Sequence, residues 1–381
     1  MAVMLLGALV AAATAAVQLP NHLHSLRSVA DLPAPADLKG AENLHAEARS
    51  RVARIQQFYG HHSSAPLALP PLRPPPTDVA ASAILRPTDF GADPSGATDS
   101  SAAFDKAVAA LLSQRGQRHT MASNITDLGG ATLDLSGGSY LLSHPIVVPP
   151  GVGNAQIVRG TLRAAHNFPP DRWLVEIGSV GCAPKLPSGK PDSQGSCNEF
   201  INLSEMMFDA MHVAAGGVRV AKVMGTTLGP SVFFTGFNQV GVRIDGGHEV
   251  MLSEAWLAEC YWSNNGPCAE KADSIAVQIN GNDHYLTDVI VFDYAHVGVE
   301  INGAANVLQA VHTWNGGGIG IKVNAHQTRL LGCYLDYNFL QVVDPSQLTV
   351  TETFFLETHA NFTASSSKSL KGVYFQGRAR L

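Results

Sequence analysis

Charge is scarce in this chain. Asp, Glu, Lys and Arg make up 15% of its 381 residues, against about a quarter in an ordinary soluble domain. A charge-laced helical architecture is excluded by that shortage. The formal charge of −6 argues against a nucleic acid or an anionic membrane as partner, although the 15 histidines would add positive charge in an acidic compartment. Beyond the N-terminus no apolar run is long enough to cross a bilayer. There is no zinc-ligand spacing, no serine nucleophile elbow and no P-loop, and no Asp-Asp pair occurs anywhere. The second half also lacks the 3.6-residue apolar period of a helix.

What is abundant is glycine, with 36 residues, and it punctuates a repeat. GVRIDGGHEVMLSEAWL begins at Gly241, AVQINGNDHYLTDVIVF at Ala276, GVEINGAANVLQAVHTW at Gly298 and GIKVNAHQTRLLGCYLD at Gly320. A weaker copy, LQVVDPSQLTVTETFFL, begins at Leu340. Most starts lie about 22 residues apart, a period that signals a solenoid. The fourth residue of each copy is Ile244, Ile279, Ile301, Val323 and Val343, and the fifth is Asp245, Asn280, Asn302, Asn324 and Asp344. A β-branched residue, a polar turn residue and usually glycine make strand-turn chemistry. An apolar residue returns at Met251, Leu286, Leu308, Leu330 and Val350 and marks the next strand. No copy can bury its own apolar face, but stacked copies can, with strands about 4.8 Å apart. The pattern predicts an all-β fold, a parallel β-helix. Its Asn/Asp column should form a ladder, each side chain bonding the backbone of the next coil.

The front of the chain carries other signals. Residues 1–16 read as a secretory leader, with a short apolar core and small residues for cleavage at Ala13-Thr14-Ala15. Residues 17–86 hold an amphipathic helix over 41–59 and a Pro-rich strap from Pro66. Sequons stand at Asn124, Asn202 and Asn361. Cys260 and Cys268 lie in the insertion that lengthens the first repeat interval, where a disulfide can close the loop; Cys182 and Cys197 similarly flank a Gly/Pro/Ser-rich loop. Cys333 falls in a strand column and reads as a buried apolar thiol. From Pro87 a short strand and turn lead to a helix capped by Asp99 or Ser100, with an apolar stripe of Phe104, Ala107, Val108, Leu111 and Leu112. That helix is expected to cap the open N-terminal end of the coil stack, which then runs over 87–381 as a single domain. No capping element follows Phe362, so the stack is expected to be truncated at its C-terminal end.

DFGADPSGATDSSAAF, followed by GGATLDLSGGSYLLS, is similar to the opening segment of the pectin-lyase-like superfamily. The repeats from GGHEVMLSEAWL to DPSQLTVTETFFL resemble a narrower group, the divergent plant polygalacturonases of the Quartet type. The resemblance covers roughly residues 87 to 360. It implies a right-handed β-helix and a secreted cell-wall protein with homogalacturonan as its polymer. No cofactor or metal is expected, and a monomer is.

Hydrolysis of a glycosidic bond needs two carboxyl groups, roughly 6.5–9.5 Å apart for inversion. Same-column residues one or two coils apart in a β-helix lie about 5 or 10 Å apart. The Asn-Thr-Asp, Asp-Asp, Gly-His-Gly and Arg-Ile-Lys segments of the polygalacturonases proper are not intact here; Gly247-His248-Glu249 and Gly281-Asn282-Asp283-His284 are the nearest echoes. Two clusters carry the chemistry. One pairs His248 and Glu249 with Asp283 and His284 just after the ladder turn, the plain alternative being a solvated turn. The other follows the second strand of each copy and holds Glu259, Asp293, His312, Trp314, Asp336, Tyr337 and Glu357, where rings beside carboxylates suit a sugar groove. Its alternative is an ordinary charged strand edge. Asp283, Asp288, Asp336 and His284 are the expected catalytic residues. Expected substrate contacts are His248, Glu249, Asp293, His312, Trp314, Tyr337, Arg329 and Lys322. Arg243, Glu300 and Lys322 are equally explained as paired charge on one strand face. The leading reading is a galacturonan hydrolase working by acid/base inversion. A non-catalytic wall-binding β-helix is the alternative, and a lyase is a third.

Overall fold

The structure, a computed structural model, describes residues 83–116, 124–184, 195–260, 273–292, 296–314, 318–344, 346–356, 358–363 and 373–376. The leader over 1–16, the helix over 41–59, nearly all of the Pro-rich strap, Cys268, Asp293 and Glu357 lie outside them.

The described residues form a right-handed parallel β-helix whose strand pairings are all parallel. Each coil contributes to three faces. The ladder face stacks Trp173–Gly178, Gly216–Met224, Val240–His248, Ile275–Ile279, Val297–Ile301, Ile319–Val323 and Phe339–Val343. The second face stacks residues 251–253 and 285–287, then Val307–Gln309, Arg329–Leu331 and Thr349–Thr351. The third stacks Val232–Thr235, residues 255–258 and 290–292, then His312–Trp314, Tyr334–Asp336 and Phe354–Leu356. Inward residues alternate with outward ones, as the pleat requires. Ile244, Ile279, Ile301 and Val323 are fully buried, as are Leu286, Leu308 and Leu330.

Two corners separate these faces, and each is made by a single residue with left-handed backbone in every coil. Glu249, Asp283, Ala305, Gln327 and Gln347 form the corner after the ladder face; Glu254, Asp288, Ala310, Gly332 and Glu352 form the next. A left-handed residue turns the chain sharply and leaves its side chain outside. The positions recur because the strands on either side stay in register.

The ladder is present, but its bonds differ from the expected ones. Asn280 Nδ2 donates to Asp245 Oδ1 at 2.8 Å, Asn302 Nδ2 to Asn280 Oδ1 at 2.9 Å, and Asn324 Nδ2 to Asn302 Oδ1 at 2.8 Å. The side chains bond one another because each backbone N–H is already taken by the preceding coil, as in Asn302 N to Ile279 O. Asp245 terminates the row against Arg219 and Arg243. Burial would raise the pKa of its carboxyl, but hydrogen bonds from Arg243, Asn280 and Arg219 outweigh that and hold it below the usual range.

Two repeat alignments shift by one residue. Ile244 pairs with Ile279, but Met251 pairs with Tyr285, so the first copy carries one more residue in its corner. That residue is accommodated at Gly246-Gly247, both at positive φ; a Cβ on Gly247 would meet Val223 O at 2.2 Å. Leu252, not Met251, therefore fills the core column, and Met251 is 46% exposed. In the fifth copy Val342, not Val343, pairs with Val323 and is buried.

Helix α1, Ser101–Leu112, buries Phe104, Ala107, Val108 and Leu111 in the same core as the first coils. Ser100 holds its N-cap position without a side-chain bond to the helix, and the Asp99 carboxylate before it accepts from Ser101 N at 3.0 Å and Ser101 Oγ at 2.7 Å. Cys182 and Cys197 form a disulfide, and Cys260 is also disulfide-bonded. Cys333 is a buried free thiol, raised to about 11 by burial. Among the described residues no helix is long and apolar enough to cross a membrane.

Candidate functional site

The most complete convergence of the expected residues is on the outside of the third face. His312, Trp314, Tyr334 and Asp336 share two adjacent strands, with His312 opposite Tyr334 and Trp314 opposite Asp336. His312 and Asp336 sit diagonally, and His312 Nε2 lies 3.6 Å from Asp336 Oδ2. The imidazole stacks on the Tyr334 ring at 4.5 Å between centroids, and Tyr334 meets Phe354 edge-on at 5.2 Å. Trp314 is 42% exposed beside the pair, and Tyr337, at a left-handed position, is exposed where the strand ends.

A buried amide fixes this geometry. Asn338 Nδ2 donates to Thr313 O at 2.8 Å and to Asp336 O at 3.0 Å, while Thr313 Oγ1 donates to Asn338 Oδ1 at 3.0 Å. The turn after Asp336 is thereby tied to the strand before it. Asp336 Oδ1 and His312 Nε2 are both closed to solvent, and neither has a hydrogen-bond partner among the described residues. The pair holds a carboxylate and an imidazole close enough to exchange a proton once they tighten, as catalytic contacts do when substrate binds. The imidazole and the Tyr334 ring stand on edge along the coil axis, because the one stacks on the other. They offer edges and the tyrosine hydroxyl more than open faces.

Tyr334 and Asn338 are not among the residues expected from the sequence. Tyr334 occupies the same position of its copy as His312, which is the signal for it. Asn338 had none, because nothing in the sequence marks a turn amide as inward-facing.

The other expected residues lie elsewhere. Asp283 is at the corner after the ladder face, where His248 Nδ1 lies 3.7 Å from its Oδ2 and Asn282 Nδ2 donates to the same oxygen at 2.5 Å. Glu249 precedes it in the same corner column, one coil away. One coil is about 4.8 Å, short of the spacing an inverting pair needs. Asp288 is exposed at the next corner. Arg329 faces out from the second face. Lys322 is on the ladder face, paired with Glu300 at 2.9 Å. Glu259 is buried and accepts from Ser274 Oγ at 2.6 Å.

His284 is a correction. Its side chain points into the coil interior with 0% exposure, and its Nδ1 accepts from Val250 N at 3.1 Å. Burial, with the nearby His248 adding to it, lowers its pKa to about 4. A polymer lying outside the coil cannot reach it. The extra corner residue at Gly247 explains the error: Glu249 stands opposite Asp283, and His284 opposite Val250. A slip of one residue moves a side chain to the other face of a strand.

Among the described residues no group of three or more His, Cys, Asp and Glu side chains could hold a metal ion.

No protein-family model matches the chain. Among solved structures, the endo-xylogalacturonan hydrolase of Aspergillus tubingensis is 12% identical, with 77% of this chain and 83% of that one covered and a TM-score of 0.44. The catalytic unit of the GH87 α-1,3-glucanase of Streptomyces thermodiastaticus is 14% identical, with a TM-score of 0.46; the match covers 78% of this chain and 60% of that unit. A relative by sequence is Polygalacturonase QRT3 of Arabidopsis thaliana, 31% identical over 344 residues, which are 88% of this chain and 68% of that protein. That identity is sustained over most of both proteins, and the chain belongs to the polygalacturonase family.

Proposed function

We propose that this protein is a secreted glycoside hydrolase that cleaves α-1,4-galacturonan in the cell wall, with His312 and Asp336 as its acid/base pair. The observation that carries this reading is their approach to 3.6 Å beside the exposed Trp314. In this reading the imidazolium of His312 gives its proton to the glycosidic oxygen as the bond to the anomeric carbon breaks, and a water adds to that carbon and gives up a proton to Asp336. Trp314 and Tyr337 hold the sugars on either side.

A second reading follows from one specific feature. The neighbours of Asp336 in its column are Trp314 and Leu356, not a second carboxyl. Hydrolysis by inversion needs that second group. Without it the same surface is a binding site on a β-helix that does not cleave.

Reducing-end release from de-esterified homogalacturonan at mildly acidic pH separates the two. Release by the wild type, lost in Asp336→Asn and His312→Ala while circular dichroism is unchanged, supports the hydrolase. Release undiminished in both variants would exclude this pair. Absence of release by the wild type, with polymer binding retained, would establish the binding reading, and an unsaturated ultraviolet-absorbing product would establish a lyase.

A further inference from the structure

The second face carries a groove that the His312–Asp336 pair does not use. It is open, about 470 Å³ in volume, and lined by Asp283, Tyr285, Gln327, Arg329, Gln347 and Thr349 together with Ala305 and Val307. The left-handed corner column forms one wall, and the first outward column of the second face forms the other. The groove therefore runs along the coil axis, and each coil adds one residue to each wall.

We propose that this groove is a separate binding site for an oligosaccharide that carries free carboxylates, and that Arg329 is the residue that selects them. Arg329 is exposed and makes no ion pair or hydrogen bond through its side chain to another described residue. By contrast, Arg219 and Arg243 are bound to Asp245, and Lys322 to Glu300. A guanidinium with its donors unused, in a groove, fits a planar carboxylate with two parallel hydrogen bonds. The amides of Gln327 and Gln347 and the Thr349 hydroxyl flank it on the same and the following coil, and they too are unengaged by other described side chains. Repeated amide and hydroxyl groups at coil spacing suit a chain of sugar hydroxyls, and Tyr285 offers a ring.

The groove is also polarised. Asp283 lies two coils before Gln327 in the corner column, and so roughly 10 Å from the Arg329 end. Its carboxylate, held by His248 and Asn282, repels a uronate and accepts from hydroxyls. A bound oligomer would thus place a carboxylate at Arg329 and a hydroxyl edge at Asp283. A methyl ester, being neutral and unable to chelate the guanidinium, would lose the main contact. This assignment does not depend on cleavage at the third face.

The test is calorimetric binding of two probes, a de-esterified oligogalacturonide and the same oligomer fully methyl-esterified. It uses the full chain carrying Asp336→Asn, so that the probe is not consumed. The de-esterified probe is expected to bind, the ester at least about tenfold more weakly. Adding Arg329→Gln should weaken the acid form by about tenfold or more and leave the ester unchanged, while Arg329→Lys restores part of the loss. Equal affinity for both probes, no effect of Arg329→Gln, or no binding of either probe would each overturn the proposal. Arg329-dependent binding in a protein whose wild type releases no reducing ends would leave the groove standing and remove the hydrolase. Release without any Arg329-dependent binding would do the reverse.

Discussion

The Nδ1 atom of His284 accepts a hydrogen bond from the backbone N–H of Val250 on the preceding coil, at 3.1 Å, inside a core closed to water. The next coil repeats the device: Asn306 Oδ1 accepts from His284 N at 2.8 Å, and Asn306 Nδ2 donates to Gly281 O and Gly303 O. Polar side chains thus satisfy backbone groups that the corners leave unpaired within the interior.

His284 makes the fold sensitive to acid. Its folded pKa is about 4, against an ordinary value of 6.5. The folded state therefore prefers the neutral ring, and the unfolded chain takes up a proton first. Stability from this group is complete above about pH 6.5 and is lost as pH falls toward 4. The loss by pH 4.5 should be about 2–3 kcal/mol. Urea midpoints at pH 7.5 and 4.5 measure it. In His284→Gln, stability at pH 7.5 should be lower and its fall on acidification shallower; an equally steep fall would assign the effect to other groups.

Asn302 stands in the middle of the amide ladder, donating to Asn280 and accepting from Asn324. Asn302→Ala removes both ladder bonds, and a longer one to Glu300 Oε2 at 3.4 Å, at an exposed corner. The expected cost is about 1 kcal/mol, small because water replaces part of what is lost. Thermal melting or urea unfolding would detect it. The same substitution at Asn306, whose amide is buried, should cost at least twice as much, and equal costs would mean that burial is not what gives these amides their weight.

Lys322 is expected to matter for stability through Glu300. Burial would raise the Glu300 pKa, but hydrogen bonds from Gln278 and Lys322 outweigh it and hold it below the usual carboxylate value. A carboxyl lowered on folding contributes stability above its unfolded pKa and loses it as pH falls through the folded one. Lys322→Met should therefore destabilise by about 1–2 kcal/mol at neutral pH and by less at acidic pH. A cost independent of pH would point to lost packing instead.

The three sequons are not equivalent in the fold. Asn124 and Asn361 are exposed. Asn202 is half-buried in the strand Asn198–Asp209, and its Oδ1 accepts from Thr227 N at 3.0 Å. Glycopeptide mass spectrometry of protein expressed through the secretory route should find glycan at Asn124 and Asn361, with Asn202 little occupied. Full occupancy at Asn202 would mean that attachment precedes formation of that coil.

The sequence by itself determined the architecture. Local strand-turn chemistry recurring about every 22 residues has one stable outcome, stacked coils, because no single copy can bury its own apolar side. It also placed Ile244, Asn280, Leu308, Trp314 and Asp336 in correct columns, since those lie where the copies have equal lengths. Only the tertiary structure decided which way each polar side chain points and which columns share a face. The copies differ by one residue at Gly247 and again between Ile319 and Ile321, and along a strand one residue exchanges inside for outside. For that reason His284 is a core residue; Asp336 meets His312 across adjacent coils, and Arg329 lies on a different face from both because the left-handed corner at Gly332 turns the chain between them.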